Sequence, residues 1–124
     1  MTLPRPATLS EPRPDGRGGY AYDIREGDRI IGGCELLLSR RRPRRLQAKM
    51  WLDAESDRGR GIGTHALTAL VDSAFGVLAA DAVWGQVAGT NTASLRCAEK
   101  VGFVTYTRQY GVHFMQVTPK QENG

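Results

Sequence analysis

The sequence predicts an α/β protein in which a mixed, mostly antiparallel central sheet is covered by two main helices. Residues 61–79 repeat apolar side chains (Ile62, Ala66, Leu67, Leu70, Val71, Ala74, Phe75 and Leu78) at spacings of three and four, the stripe of an amphipathic helix. Residues 20–25 alternate as a half-buried strand does, residues 29–38 are rich in Ile and Leu, and Glu26-Gly27-Asp28 supplies a hairpin turn between them. The remaining segments complete the order β-β-β-α-β-α-β-β, which has no internal repeat and is not a serial βαβ array.

Taken in order, residues 1–19 hold four of the six prolines together with Gly16, Gly18 and Gly19. So little apolar surface cannot offset the entropy of ordering, so this stretch is expected to be a flexible leader. A single domain is expected over residues 20–118, with 119–124 as a tail. Residues 39–45 read as a loop, because Pro43 and five arginines suit neither a helix interior nor a central strand. Residues 46–52 form the third strand, and Ala82–Ala88 a fourth. Asn91 is placed to cap a second helix running to Val101, which Gly102 would stop. Residues 103–107 and 112–117 are the last two strands, with a turn over 108–111.

Composition excludes several classes. No apolar run approaches the roughly 20 residues of a membrane span. The first residues, Met1-Thr2-Leu3-Pro4-Arg5-Pro6, lack the apolar stretch of a secretory signal. Two cysteines, Cys34 and Cys97, are too few for a disulfide framework and fit a reduced, cytoplasmic setting. The formal charge of +4 hints at nucleic acid, but Arg40, Arg41, Arg42, Arg44 and Arg45 account for all of it. That cluster is a solvated face by default. Its functional options are an acidic acceptor, RNA or a ligand's phosphates.

The chemistry is concentrated in Trp51-Leu52-Asp53 and in Arg58-Gly59-Arg60-Gly61-Ile62-Gly63-Thr64, which opens the long helix. Glycines ahead of a helix let backbone approach a ligand closely, and the unpaired amides favour phosphate. A P-loop would need a Lys after the last glycine, where Thr64-His65 stands. A dinucleotide fingerprint survives only as Gly61-x-Gly63-x-x-Ala66, and Asp81 precedes the next strand instead of ending it.

Arg58-x-x-Gly61-x-Gly63 also matches the [Gln/Arg]-x-x-Gly-x-[Gly/Ala] loop of the GNAT N-acetyltransferases, between a strand and a long helix as in that family. The segment from Asn91 to Gly102-Phe103 is similar to the family's second helix. Trp51-Leu52 and Asn91-x-x-Ser94 most resemble the subgroup that acetylates ribosomal-protein N-termini. The resemblance implies the GNAT fold, without its usual first strand and helices, binding acetyl-CoA as co-substrate with no metal. It implies coenzyme contacts from Trp51, Leu52, Asp53, Arg58, Gly59, Arg60, Gly61, Ile62, Gly63, Thr64, Asn91 and Ser94. It also implies transfer of an acetyl group to a primary amine of a small molecule or a protein N-terminus.

Two departures stand out. Gln47 occupies the position of the family's general-base Glu, and Ala98 that of its thiolate-protonating Tyr. Ser94 is the remaining hydrogen donor, and Glu35 the best remaining carboxylate, beside its reading as an ordinary strand residue. His113 is a further base option with a structural alternative. His65 is given no role, Cys97 is expected to pack, and Trp51 and Trp84 suit a sheet face as well as a substrate platform. These losses motivate a second reading, a non-catalytic or repurposed acyl-CoA-binding domain. A homodimer is expected to complete the acceptor wall.

Overall fold

A computed structural model describes residues 7–54 and 61–119. Its elements are β1 (Ala7–Leu9), β2 (Arg13–Pro14), β3 (Tyr20–Glu26), β4 (Arg29–Ser39), β5 (Arg42–Leu52), α1 (Ile62–Gly76), β6 (Ala82–Ala88), α2 (Thr92–Val101), β7 (Val104–Gln109) and β8 (Val112–Val117). One eight-stranded sheet runs β1-β3-β4-β5-β6-β8-β7, with β2 also on β3. Every pairing is antiparallel except β5 with β6, which is parallel. The expected mixed, mostly antiparallel sheet with two helices is what forms.

Strand alternation separates two faces. Ile24, Cys34, Leu36, Leu46, Val83 and Met115 are buried on the face that α1 covers with Ala66, Leu70 and Ala74. Tyr22 joins the two layers through its hydroxyl, 2.9 Å from Ser73 Oγ. The helices α1 and α2 pack on each other and on this face. The opposite face carries Glu35, Gln47, Lys49, Trp51, Trp84 and Phe114 by register, with no helix on it among the described residues.

Three expectations need correction. Residues 7–14 are not a loose leader: Ala7, Thr8 and Leu9 pair with Glu26, Arg25 and Ile24, and Arg13 and Pro14 pair with Ala21 and Tyr20. Ala7 and Leu9 pack against the core, and Ser10 and Arg13 bind Asp23. A strand that adds to an existing edge needs few apolar residues of its own, which composition could not reveal. Residues 1–6 and 120–124, the ends of the expected leader and tail, lie outside the described residues.

The arginine segment is also no loop. β4 and β5 continue through it, turning at Arg40-Arg41 beside a bulge at Leu38/Ser39. Pro43 is tolerated because β6 pairs only as far as Arg45, so the other edge of β5 is open there. At the far end, Tyr110 (φ 51°) and Gly111 (φ 76°) turn within two residues, so β7 extends to Gln109. Phe103 is not part of that strand. It is buried, and its N–H donates to Ala98 O at 3.0 Å where Gly102 (φ 113°) ends α2.

Candidate active site

The parallel strands part. Arg45, Leu46 and Gln47 pair with Ala82, Val83 and Trp84, and beyond Gln47 the two strands have no further ladder. A cleft of about 520 Å³ fills the gap. Its walls are 47–51 of β5, 85–88 of β6, and Asn91, Ser94, Cys97 and Ala98 along α2, with Leu67, Phe103 and Met115 also in the lining. Gly85 keeps the throat narrow, since a Cβ there would stand 3.3 Å from Ala48 O.

α2 begins at this cleft, and the first turn of α1 lies beside two of its wall residues, Met50 and Cys97. Gly61 is the N-cap of α1, at φ 79° and ψ −1°, and among the described residues no side chain caps the helix. Among the described residues nothing stands within 4 Å of where its Cβ would lie, so the backbone conformation is what demands glycine. The first turn holds no acidic residue, leaving its amides and the positive end of the dipole to attract an anion. α2 differs: Asn91 Oδ1 accepts from the Ser94 N–H at 3.1 Å. Gly63 approaches α2 and β5, with Met50 Cε and Cys97 Sγ at 3.5 and 3.6 Å from an added Cβ.

The residues singled out from sequence separate into three groups. Trp51, Asn91 and Ser94 line the cleft, and Gly61, Gly63 and Thr64 stand at or within the first turn of α1. Trp51 is 46% exposed and lies flat across Gly33, where any Cβ would collide with the indole. Thr64 Oγ1 donates to Cys97 Sγ at 3.6 Å, tying α1 to α2. Arg58, Gly59 and Arg60 lie outside the described residues.

The remaining side chains point elsewhere. Ile62 is 5% exposed in the core, so only its backbone is available to a ligand. Leu52 packs against the core, and the Asp53 N–H is bound to Ile31 O at 2.9 Å. Glu35 pairs across from Lys49, one strand beyond the cleft wall, and does not line it. His113 accepts or donates through Nδ1 with Thr105 Oγ1 at 3.1 Å and is not in the lining either.

Sequence reasoning missed Cys97, Lys49 and Gln86 as wall residues. The signal for Cys97 was present: Asn91, Ser94 and Cys97 repeat every three residues and so share one face of α2. Among the described residues no Asp or Glu lines the cleft, and Lys49 is its one basic side chain. The Ser94 hydroxyl has no partner among the described residues. No group of His, Cys, Asp and Glu among them could hold a metal.

A cleft between splayed parallel strands, with an uncapped helix start at its rim, is an architecture for an extended ligand that carries phosphate. The family model of the GNAT acetyltransferase domain matches residues 7–104, and the chain belongs to that family.

Solved structures share the fold. A dodecameric spermidine N-acetyltransferase from Vibrio cholerae superposes with a TM-score of 0.72 at 18% identity, over 82% of this chain and 65% of that one. RimJ of Mycobacterium smegmatis, in complex with CoA-disulfide, gives 0.71 at 22% identity over 81% and 53%. An aminoglycoside acetyltransferase in complex with coenzyme A gives 0.70 at 22% over 82% and 67%. The chain thus spans somewhat less than two thirds of the Vibrio enzyme and about half of RimJ. A comparison with curated proteins found no match. No helix among the described residues is long and apolar enough to cross a membrane.

Proposed function

We propose that the chain is an acetyl-CoA-dependent N-acetyltransferase acting on a primary amine of a small molecule or a protein N-terminus. The observation that carries this reading is the parting of β5 from β6 beyond Gln47 and Trp84, beside the uncapped start of α1. When bound, acetyl-CoA supplies the activated acetyl group. The first-turn amides of α1, with Arg58, Gly59 and Arg60 just before it, are suited to hold a pyrophosphate. The free edge of β5 past Gln47 offers backbone groups to an extended chain as an added strand would use them. An amide near residues 50–52 is placed to polarise a carbonyl in the cleft. Ser94 is the hydrogen donor for a departing sulfur.

The cleft lacks a carboxylate among the described residues, and Gln47 cannot accept a proton. This favours an acceptor whose amine arrives neutral. An α-amino group, with a pKa of roughly 7.7–8.0, meets that condition far more often near pH 7 than an alkylamine near about 10.4. The α-amino preference also fits the resemblance to the subgroup that acetylates ribosomal-protein N-termini. A cytoplasmic setting suits two free thiols. A homodimer would complete the acceptor wall beyond Trp51, at the end of β5 away from the arginine turn.

Thermal shift with acetyl-CoA tests binding, and coenzyme release against peptides and polyamines tests transfer. Ligand at about 100 times its Kd should add about 2.7 kcal/mol of stability. Release should be faster with α-amino peptides than with polyamines. No stabilisation would overturn the reading. Tight binding with no release from any amine would favour the alternative, a non-catalytic or repurposed acyl-CoA-binding domain, which the glutamine and alanine at positions 47 and 98 motivate.

A further inference from the structure

The sheet face opposite the helices carries an aromatic and cationic cluster that the acetyl-transfer reading does not use. Trp84 and Phe114 stack nearly parallel, with centroids 6.5 Å apart and planes at 14°. Tyr106 is tilted against Phe114 and is 46% exposed. The Arg45 guanidinium lies 4.9 Å from the Trp84 ring centre and 5.6 Å from that of Tyr106, and it donates to the Tyr106 hydroxyl at 2.9 Å. Stacking and one hydrogen bond therefore fix Arg45, yet it has no carboxylate partner among the described residues. The exposed arginines of the turn, 40–42, lie on the same strand pair and also lack ion-pair partners among the described residues.

An arginine held over aromatic rings keeps its remaining donors aimed outward, in the planar fork that matches phosphate. Aromatic side chains on an open sheet offer π-faces to unstacked bases, and neighbouring arginines track the backbone. A second copy on this face would bury Arg45 and bring a second arginine set against the first, a like-charge approach that costs binding energy. An acidic peptide would satisfy the charges and leave the aromatic rings without a matching surface.

We infer that this face, from the Arg40-Arg41 turn to Phe114, is a docking surface for single-stranded RNA. The surface borders the cleft where Trp84 pairs with Gln47 and Phe114 with Gln86, but none of Arg45, Trp84, Tyr106 and Phe114 lines it. RNA binding measured without coenzyme therefore stands or falls apart from coenzyme binding.

Fluorescence anisotropy with a labelled single-stranded RNA of about 12 nucleotides tests this on the full chain. The single strand should bind at least tenfold tighter than an RNA duplex of equal length. Replacing the turn arginines together (Arg40→Ser, Arg41→Ser, Arg42→Ser) should weaken binding tenfold or more. The salt dependence should flatten as well, by about 0.7 in log–log slope for each phosphate left without its arginine. Arg45→Lys, which keeps the charge and removes the stacked plane, should weaken the single strand and leave duplex binding unchanged. These surface variants should melt like the parent in circular dichroism. Equal affinity for single strand, duplex and polyglutamate would overturn the inference. So would indifference to Arg45→Lys, or a dimer in sedimentation equilibrium that the turn replacements dissociate.

Discussion

Helix α2 starts at the cleft and α1 beside it, but among the described residues α1 starts from Gly61 with no side chain on its amides, whereas α2 starts from Asn91, whose Oδ1 takes the Ser94 N–H. A helix leaves four amides unpaired at its start, and a protein can satisfy them itself or leave them to a ligand. α2 follows the first course and gains a fixed position for Ser94. α1 follows the second, at a backbone conformation that only glycine adopts without strain. Among the described residues, the same fold thus closes one helix start with its own side chain and leaves the other open.

Substitutions around the cleft probe this contrast. The largest effect is expected from Gly85→Leu, which fills the throat where β5 and β6 part. Overpacking there costs about 1–3 kcal/mol, so acetyl-CoA affinity should fall roughly tenfold to a hundredfold in a calorimetric titration. Ser94→Ala should lower kcat by about tenfold while the KM for acetyl-CoA stays within about twofold, because an interaction made only as the sulfur departs is removed. A raised KM for acetyl-CoA with kcat unchanged would make Ser94 a ground-state ligand of the coenzyme.

Asn91→Ala separates the two helix starts by stability. Removing a side-chain cap costs about 1 kcal/mol, read as a lower urea midpoint, and coenzyme affinity should change less than threefold. A larger loss of affinity than of stability would show that Asn91 touches the ligand. Glu35→Gln should have the smallest effect, leaving kcat within about twofold, since Glu35 lies one strand away from the cleft wall.

These comparisons belong below pH 9. Burial pushes the Cys34 thiol from its ordinary 9.0 up to about 12. Burial also raises the Tyr22 hydroxyl, with the Ser73 hydrogen bond opposing. Both groups are neutral in the folded chain and ionise more readily when it unfolds. Their contribution to stability is therefore complete below pH 9 and is lost as the pH rises toward 12. Urea midpoints measured from pH 8 to 11 should fall, and flat midpoints would contradict the burial of these side chains.

Much of this was legible in the sequence because it rests on local rules. The stripe of α1, the Asn91 cap, the Gly102 stop and the Gly27 turn each need only neighbours a few residues away. What was missed depends on partners distant in the chain. Ala7 and Leu9 are ordered by β3, and Pro43 is tolerated only because β6 ends its pairing at Arg45. Glu35 was named from strand adjacency, but the register sets Lys49 opposite it and Leu37 opposite Gln47, so it stands off the wall. Cys97, read as a packing residue, does pack against the core and takes the Thr64 hydroxyl, but it also reaches the cleft wall, which only the fold around α2 could reveal.

If α1 leaves its first amides for an anionic group of the coenzyme, the glycine that starts it should matter more to binding than to folding. Calorimetric titration of the parent and of Gly61→Val with acetyl-CoA reads that difference. The left-handed conformation costs a branched residue roughly 1–2 kcal/mol, enough to reshape the turn. The parent should show one site, and Gly61→Val at least about tenfold weaker binding, with the melting temperature of the free protein lowered by no more than the several degrees that about 1–2 kcal/mol of strain accounts for. Equal affinity in the two proteins, or no binding to either, would contradict a ligand-binding role for the start of α1.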